Sequence, residues 1–165
     1  LQIEGIAGFC VALIPELIEL RENGIYQKIL HFGRFSKDDL PIFENPKNIC
    51  TINCEADIHS INEYKQSTDT QITAHIKFDT GMNRMGVNWE DAEIYLELIS
   101  QSKGIILTGA YSHFSTSEEK DTSFMQIQLE RFKQTIDIVQ HYCPNVKSFH
   151  IANSESILQN PDNNL

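Results

Sequence analysis

The sequence predicts an α/β protein in which parallel strands alternate with helices laid outside the sheet. Three observations carry this. Short apolar or β-branched runs recur along the chain, each followed by a stretch with apolar residues at helical spacing. No two strand-like runs are joined directly as a hairpin. Polar, reactive residues gather just after several of the strands.

In order, Ile3 to Val11 reads as a strand buried on both faces, and Pro15 to Asn23 as a helix with Leu17, Ile18 and Leu20 apolar and Asn23-Gly24 closing it. Ile25 to Phe32 is a second strand. Ser36 is a candidate N-cap for a weak helix from Lys37 to Phe43, after which Asn48 to Asn53 and Glu55 to Tyr64 form the third strand and helix. Gln71 to Asp79 is the fourth strand, and its helix from about Trp89 to Ser100 offers Ile94, Leu96, Leu98 and Ile99 to the core. Gly104 to Tyr111 is the fifth strand. Asp121 to Tyr142 is the longest helix, with Phe124, Ile127, Leu129, Phe132, Ile136, Ile138 and Val139 as its apolar stripe. Val146 to Ile151 is a sixth strand, and another helix begins at Ser154.

Composition narrows the function. An apolar fraction of 41% is that of an ordinary globular domain with a sizeable core. The net charge of −10 excludes a phosphate-backbone partner, which needs clustered Lys and Arg. The longest apolar runs fall far short of the roughly 20 residues a membrane helix needs. Cys10, Cys50, Cys54 and Cys143 lie mostly in apolar surroundings and are expected to be reduced core thiols of a cytoplasmic protein. Cys50, Cys54 and His59 lack a second ligand pair downstream, so no metal site is expected. Leu1 leads straight into core-like sequence and Asn160 to Leu165 supplies no closing element, the expectation being an excerpt of a longer protein.

Strand and helix alternation alone fits a doubly wound sheet or a closed barrel. The first strand is not followed by Gly-x-Gly-x-x-Gly, which disfavours a dinucleotide fold. Lys77 and Asp79 end strand four, His113 follows strand five, and Asn153-Ser154 follow strand six. Successive strand ends carrying such groups suit a barrel, where the loops after the strands share one pocket.

The richest stretch is Lys77 to Gly86, KFDTGMNRMG. Gly81 and Gly86 permit left-handed or closely approached backbone. Lys77, at a strand end, is placed as a buried amine of lowered pKa, nucleophilic in the manner of a Schiff-base lysine, or else simply pairs with Asp79. Arg84 is a planar fork for a carboxylate or phenolate oxygen, or an ordinary surface arginine; lying between Met82 and Met85, it is expected to be buried and braced by an anion. His113 is a site histidine or a rim histidine. Asn153-Ser154 open a helix and either hold an anion such as phosphate or only cap it.

KFDTGMNRMG resembles the motif of alanine racemases, pyridoxal-phosphate enzymes of the fold-type III barrel. GAYSHFSTSEEKDTSFMQIQLERF from Gly109 to Phe132, FHIANSES from Phe149 to Ser156, and GIAGFCVALIPELIELRENGI from Gly5 to Ile25 fit the same family in the same order. The resemblance implies a partial (β/α)8 barrel of about six strand-helix units over residues 1–165. It implies an enzyme that interconverts L- and D-alanine through an aldimine with pyridoxal 5'-phosphate, supplying D-alanine for peptidoglycan as a cytoplasmic homodimer. Arg84 would contact the cofactor's phenolic oxygen and approach the substrate carboxylate, and Lys77 would be a carbamylated brace for it. His113 would lie beside the pyridine ring, Ser154 would bind the phosphate, and Asn153 would support the Arg84 side of the pocket.

The sequence lacks the family's Lys-Ala-Asn-Ala-Tyr-Gly-type segment with the Schiff-base lysine, the tyrosine base of the C-terminal β domain, and the arginine that meets the pyridine nitrogen. No catalytic acid or base is therefore expected within this chain, and by itself it is expected to be inactive. The alternative is another fold-type III protein, either a racemase of a different amino acid or a non-catalytic pyridoxal-phosphate-binding protein.

Overall fold

The structure is a computed structural model that describes residues 5–117, 119 and 121–159. The chain divides into two compact units, Leu1–His75 with Ser102–Leu107, and Ile76–Gln101 with Thr108–Leu165. The strands are β1 (Gly8–Val11), β2 (Lys28–His31), β3 (Asn48–Ile52), β4 (Ile72–Asp79), β5 (Val87–Asn88), β6 (Ile105–Tyr111) and β7 (Ser148–His150). They follow the order β1-β2-β3-β4-β6-β7, with β5 pairing β4. The registers are parallel, as in Gly8 with Lys28 and Gly109 with Ser148. The expected strand at Ile3 and Glu4 lies outside the described residues.

In the first unit, helix α1 (Ile14–Glu22) carries a proline in its first turn, where a missing N–H costs nothing. Glu16 reaches back to accept the N–H groups of Ala12 and Leu13, both at 2.9 Å, and Gly24, at φ +79°, follows the C-cap Asn23. Arg21 anchors the helix end: Nε donates to Asn48 Oδ1 at 2.8 Å, and Nη1 to the carbonyls of Ile25 and Gln27. Ser36 caps a turn as expected, but Lys37–Glu44 is a 3-10 helix, consistent with Pro41 removing an interior donor. Helix α2 (Glu55–Thr68) runs four residues past the expected Tyr64 and ends on Asp69 in the left-handed conformation. Leu17, Ile29, Leu40, Phe43, Ile52, Ile61 and Ile72 are fully buried, the core of this unit.

In the second unit, α3 (Ala92–Gln101) follows a single 3-10 turn, Trp89–Asp91, and packs on α4 (Ser123–Tyr142). Leu96 and Ile99 of α3 are buried as expected, whereas Ile94 is 60% exposed. On α4 the buried positions are Met125, Gln128, Phe132, Thr135 and Val139. Phe132 and Val139 of the expected stripe are buried, whereas Ile127 is exposed and Met125, Gln128 and Thr135 take core positions outside that stripe. The short strand β5 lies beside the end of β4, Phe78 opposite Val87; two residues are too few for a periodicity to reveal. After β7, α5 spans Ser154–Gln159.

The four cysteines are unpaired, with Cys50 buried and Cys10 exposed rather than in the core. Among the described residues no group of three His, Cys, Asp or Glu gathers to hold a metal ion, and no helix is long and apolar enough to cross a membrane.

Candidate functional site

The candidate site is built on the loops that leave β4 and β6 in the second unit. β4 is buried through Phe78, so Lys77 enters the site from a strand with no exposed face and is itself only 6% exposed. Its ammonium donates to the carbonyl of Met85 at 2.9 Å. Burial pushes its pKa down, the positive charge of Arg84 pushes it further, and Asp79 partly offsets both. The loop between these residues folds back on itself. Asp79 Oδ1 accepts the N–H groups of Gly81 at 2.9 Å and Asn83 at 3.0 Å, and Asn83 takes a left-handed conformation at φ +55°.

Both loop glycines are required. Gly81 has φ +142°, and a Cβ there would lie 2.7 Å from the Phe124 ring; Gly86 has φ +113°, and a Cβ would meet the Lys77 carbonyl at 2.9 Å. The folded-back loop leaves Arg84 exposed, not buried as its methionine neighbours suggest. Among the described residues its guanidinium has no hydrogen bond or ion pair. The brace that burial demands is therefore not needed for folding.

His113 lies two residues beyond β6 and is half-buried. Burial lowers its pKa, and the charges of Arg84 and Lys77 lower it again, so the neutral ring is favoured. Lys77, Arg84 and His113 are thus brought within electrostatic reach of one another. Asp79 spends its hydrogen bonds on its own loop, and the cations are left under-balanced.

Asn153 and Ser154 divide in role. Asn153 caps α5: its Oδ1 accepts the Ser156 N–H and its own N–H donates to Ser156 Oγ, both at 3.0 Å. Its amide nitrogen donates to Ser117 Oγ at 2.6 Å and to the Phe114 carbonyl at 3.4 Å, which ties the start of α5 to the loop carrying His113. Ser154, the first residue of α5, is exposed.

The residues that hold these loops escaped sequence reasoning. Thr80 and Ser112, buried, share a hydroxyl-hydroxyl hydrogen bond of 2.7 Å. Gln128 of α4, fully buried, bonds to both loops. Arg131 donates to the Thr80 carbonyl at 2.8 Å with its guanidinium 5.4 Å from the centre of the Trp89 ring. Gln128 and Thr135 interrupt an apolar row, a signal visible only once the helix phase starts at Met125.

Parallel β/α units, with Lys77, Arg84 and His113 at or just after strand ends, define an α/β protein of barrel type. The chain belongs to the family described as alanine racemase, N-terminal domain, whose model matches residues 1–165. An alanine racemase from Nostoc sp. is 32% identical over 154 residues, 92% of this chain and 40% of the relative. The solved alanine racemase of Clostridium difficile 630 superposes with a TM-score of 0.89 at 29% identity, covering 98% of this chain and 45% of its own. A histidine racemase from Leuconostoc mesenteroides, at 21% identity and TM-score 0.74, shares the fold alone. The chain thus spans less than half the length of these relatives. The fold is part of a (β/α)8 barrel, not a doubly wound sheet.

Proposed function

We propose that the complete protein is an alanine racemase that interconverts L- and D-alanine with pyridoxal 5'-phosphate, supplying D-alanine for peptidoglycan, and that residues 1–165 form an incomplete part of its cofactor-binding barrel. The observation that carries this is the exposed Arg84, without a hydrogen bond among the described residues, within electrostatic reach of Lys77 and His113 in a chain of this family. The donor set fits the cofactor: unbalanced cations suit its anionic oxygens, and the exposed Ser154 at the start of α5 suits a phosphate.

When bound, pyridoxal phosphate supplies an electron sink for the charge left on the α carbon. Around it, Arg84 would hold the phenolic oxygen and receive the substrate carboxylate, its planar fork matching two oxygens. His113, kept neutral first by burial and then by its cationic neighbours, would pack beside the pyridine ring without adding charge. Ser154 would donate its hydroxyl to the phosphate, and Asn153 fixes the turn that presents it. The Schiff-base lysine and the tyrosine base belong to parts of the protein beyond these residues, the tyrosine coming from the partner subunit of a homodimer in the cytoplasm.

In this reading Lys77 is a carbamate in the working enzyme. Its lowered pKa supplies the neutral amine that attacks carbon dioxide, forming an N–C bond as a proton leaves. The resulting anion would attract Arg84, whose charge already acts on Lys77, and so brace it.

The test is to incubate the complete protein with pyridoxal phosphate and L-alanine and follow D-alanine by chiral separation. Racemisation supports the proposal. Cofactor absorbance without D-alanine assigns a binding protein or a racemase of another amino acid, and absence of any cofactor band overturns the whole reading.

A further inference from the structure

We propose that Gln128 is a positioning residue for His113: from the buried face of α4 its amide locks the loop leaving β6 to the loop leaving β4. The functional part of this inference rests on the racemase reading.

Gln128 has no exposure to solvent. A buried amide costs stability unless its hydrogen bonds are made, and an apolar residue would fill the same row between Met125 and Phe132 without that demand. The amide is fully used. Oε1 accepts from the Ser115 N–H at 3.0 Å and from Ser115 Oγ at 3.1 Å. Nε2 donates to the His113 carbonyl at 3.1 Å and, more weakly, to Thr80 Oγ1 at 3.4 Å. Thr80 in turn shares its hydroxyl hydrogen bond with Ser112, one residue before His113.

One rigid planar group therefore grips the peptide of His113, the residue two beyond it, and Thr80, which lies between Lys77 and Arg84 in the other loop. One turn along α4, Arg131 holds the carbonyl of the same Thr80 at 2.8 Å, so that residue is fixed through side chain and backbone. Backbone and ring of His113 move together. Releasing the His113 carbonyl frees the peptide that aims the imidazole, and with it the ring's distance to Arg84 and Lys77. Among the described residues no member of this network hydrogen-bonds to those charged groups, so Gln128 acts only through placement. Neutral donor and acceptor are both needed: glutamate keeps the acceptor and loses the donor, and methionine keeps the length and loses both.

The experiment compares Gln128→Met, Gln128→Glu and wild type in the complete protein. In the cofactor-free form, the His113 titration is followed by NMR. In the holoenzyme, pyridoxal-phosphate affinity is measured by absorbance and alanine racemisation is resolved into kcat and KM. For Gln128→Met we expect His113 to titrate closer to an ordinary histidine, cofactor affinity to fall about tenfold, and kcat to fall about tenfold with a smaller change in KM. Gln128→Glu should shift the His113 titration as well, because the donation to its carbonyl is lost. A Gln128→Met protein with lower melting temperature but wild-type His113 titration and cofactor affinity overturns the proposal, the amide then being packing alone. If Gln128→Met does not fold, an unmoved His113 titration in Gln128→Glu overturns it equally. Wild-type protein without racemase activity would sink the functional reading, while the cofactor-free titration still decides the positioning role.

Discussion

The two units place polar residues at the ends of parallel strands and put them to opposite uses. In the first unit the strand ends lead to carboxylates that cap the next helix. Glu16 takes the N–H groups of Ala12 and Leu13, Asp39 those of Ser36, and Asp57 those of Asn53 and Cys54. In the second unit Lys77 lies near the end of β4 and Arg84 in the loop after it, while Asp79 accepts the loop's own N–H groups. The first set of loops is electrostatically closed. The second leaves Arg84 without a hydrogen bond among the described residues and Lys77 and His113 with lowered pKa values. Strand-end position alone therefore does not set the electrostatic character of a loop; whether local capping balances its charges does.

The sharpest way to break this contrast is to remove one arginine from each unit. Arg84→Ala in the complete enzyme is expected to lower kcat/KM by about a hundredfold or more, the scale of losing an aimed charged donor. Its stability should stay within about 0.5 kcal/mol of wild type, since the residue is exposed and bonds to nothing described. Arg34, whose guanidinium lies 3.9 Å from Asp57 and is 62% exposed, is the control in the first unit. Arg34→Ala should leave kcat/KM within about twofold, as exposed pairs contribute little. Equal effects of the two substitutions on activity would remove the distinction between the units.

A smaller effect separates the two readings of Lys77 that its position allows. As a nucleophile its loss would be irreparable; as a carbamylated brace its anion can be replaced from solution. Lys77→Ala is expected to lose about tenfold in kcat, within the range of a single charge-assisted contact, and to regain part of it with an added small carboxylate such as acetate. Wild-type activity in Lys77→Ala, or a loss that acetate leaves untouched, counts against the brace.

The alternation of strands and helices was legible because each element repeats its period several times. The helix at Pro15, the cap at Ser36 and the strand ending at Asp79 appear where the sequence puts them. What was not legible depends on phase and on returning chain. The α4 stripe is right at Phe132 and Val139 and displaced only at its start, because Phe124 and Met125 are both apolar and only packing chooses between them; that choice decides whether Gln128 is seen as buried. β5 is too short to carry a pattern and exists because Gly86 lets the chain come back beside β4. At the site, Lys77, Arg84 and His113 were visible from their places after strands. Arg84's exposure was not, since it follows from the Asp79 bonds that curl the loop.

The smallest expected effect is on pH dependence, and there the contrast between units appears as opposite neighbours around two histidines. His31, 1% exposed and packed 5.9 Å from the Phe43 ring, has its pKa lowered by burial, with Asp39, the Ala12 backbone and Glu16 opposing. His113 has its pKa lowered by burial, with Arg84 and Lys77 reinforcing. In both cases the unfolded chain takes up its proton near 6.5 and the folded protein only below that. Between the two values the unfolded state binds more protons, so stability is complete above about pH 6.5 and falls as the pH drops through the lowered values, by at most about 1.4 kcal/mol per pH unit for each group. Urea unfolding of the cofactor-free complete protein should show this loss, flattened more by His31→Gln than by His113→Gln because His31 is the more deeply buried. Salt then tells the units apart. Screening weakens the repulsion of His113 by Arg84 and Lys77 and moves its titration up, whereas screening Asp39 and Glu16 moves that of His31 down. Shifts in the same direction for both histidines would mean that the charges around them do not differ in the way the two sets of loops require.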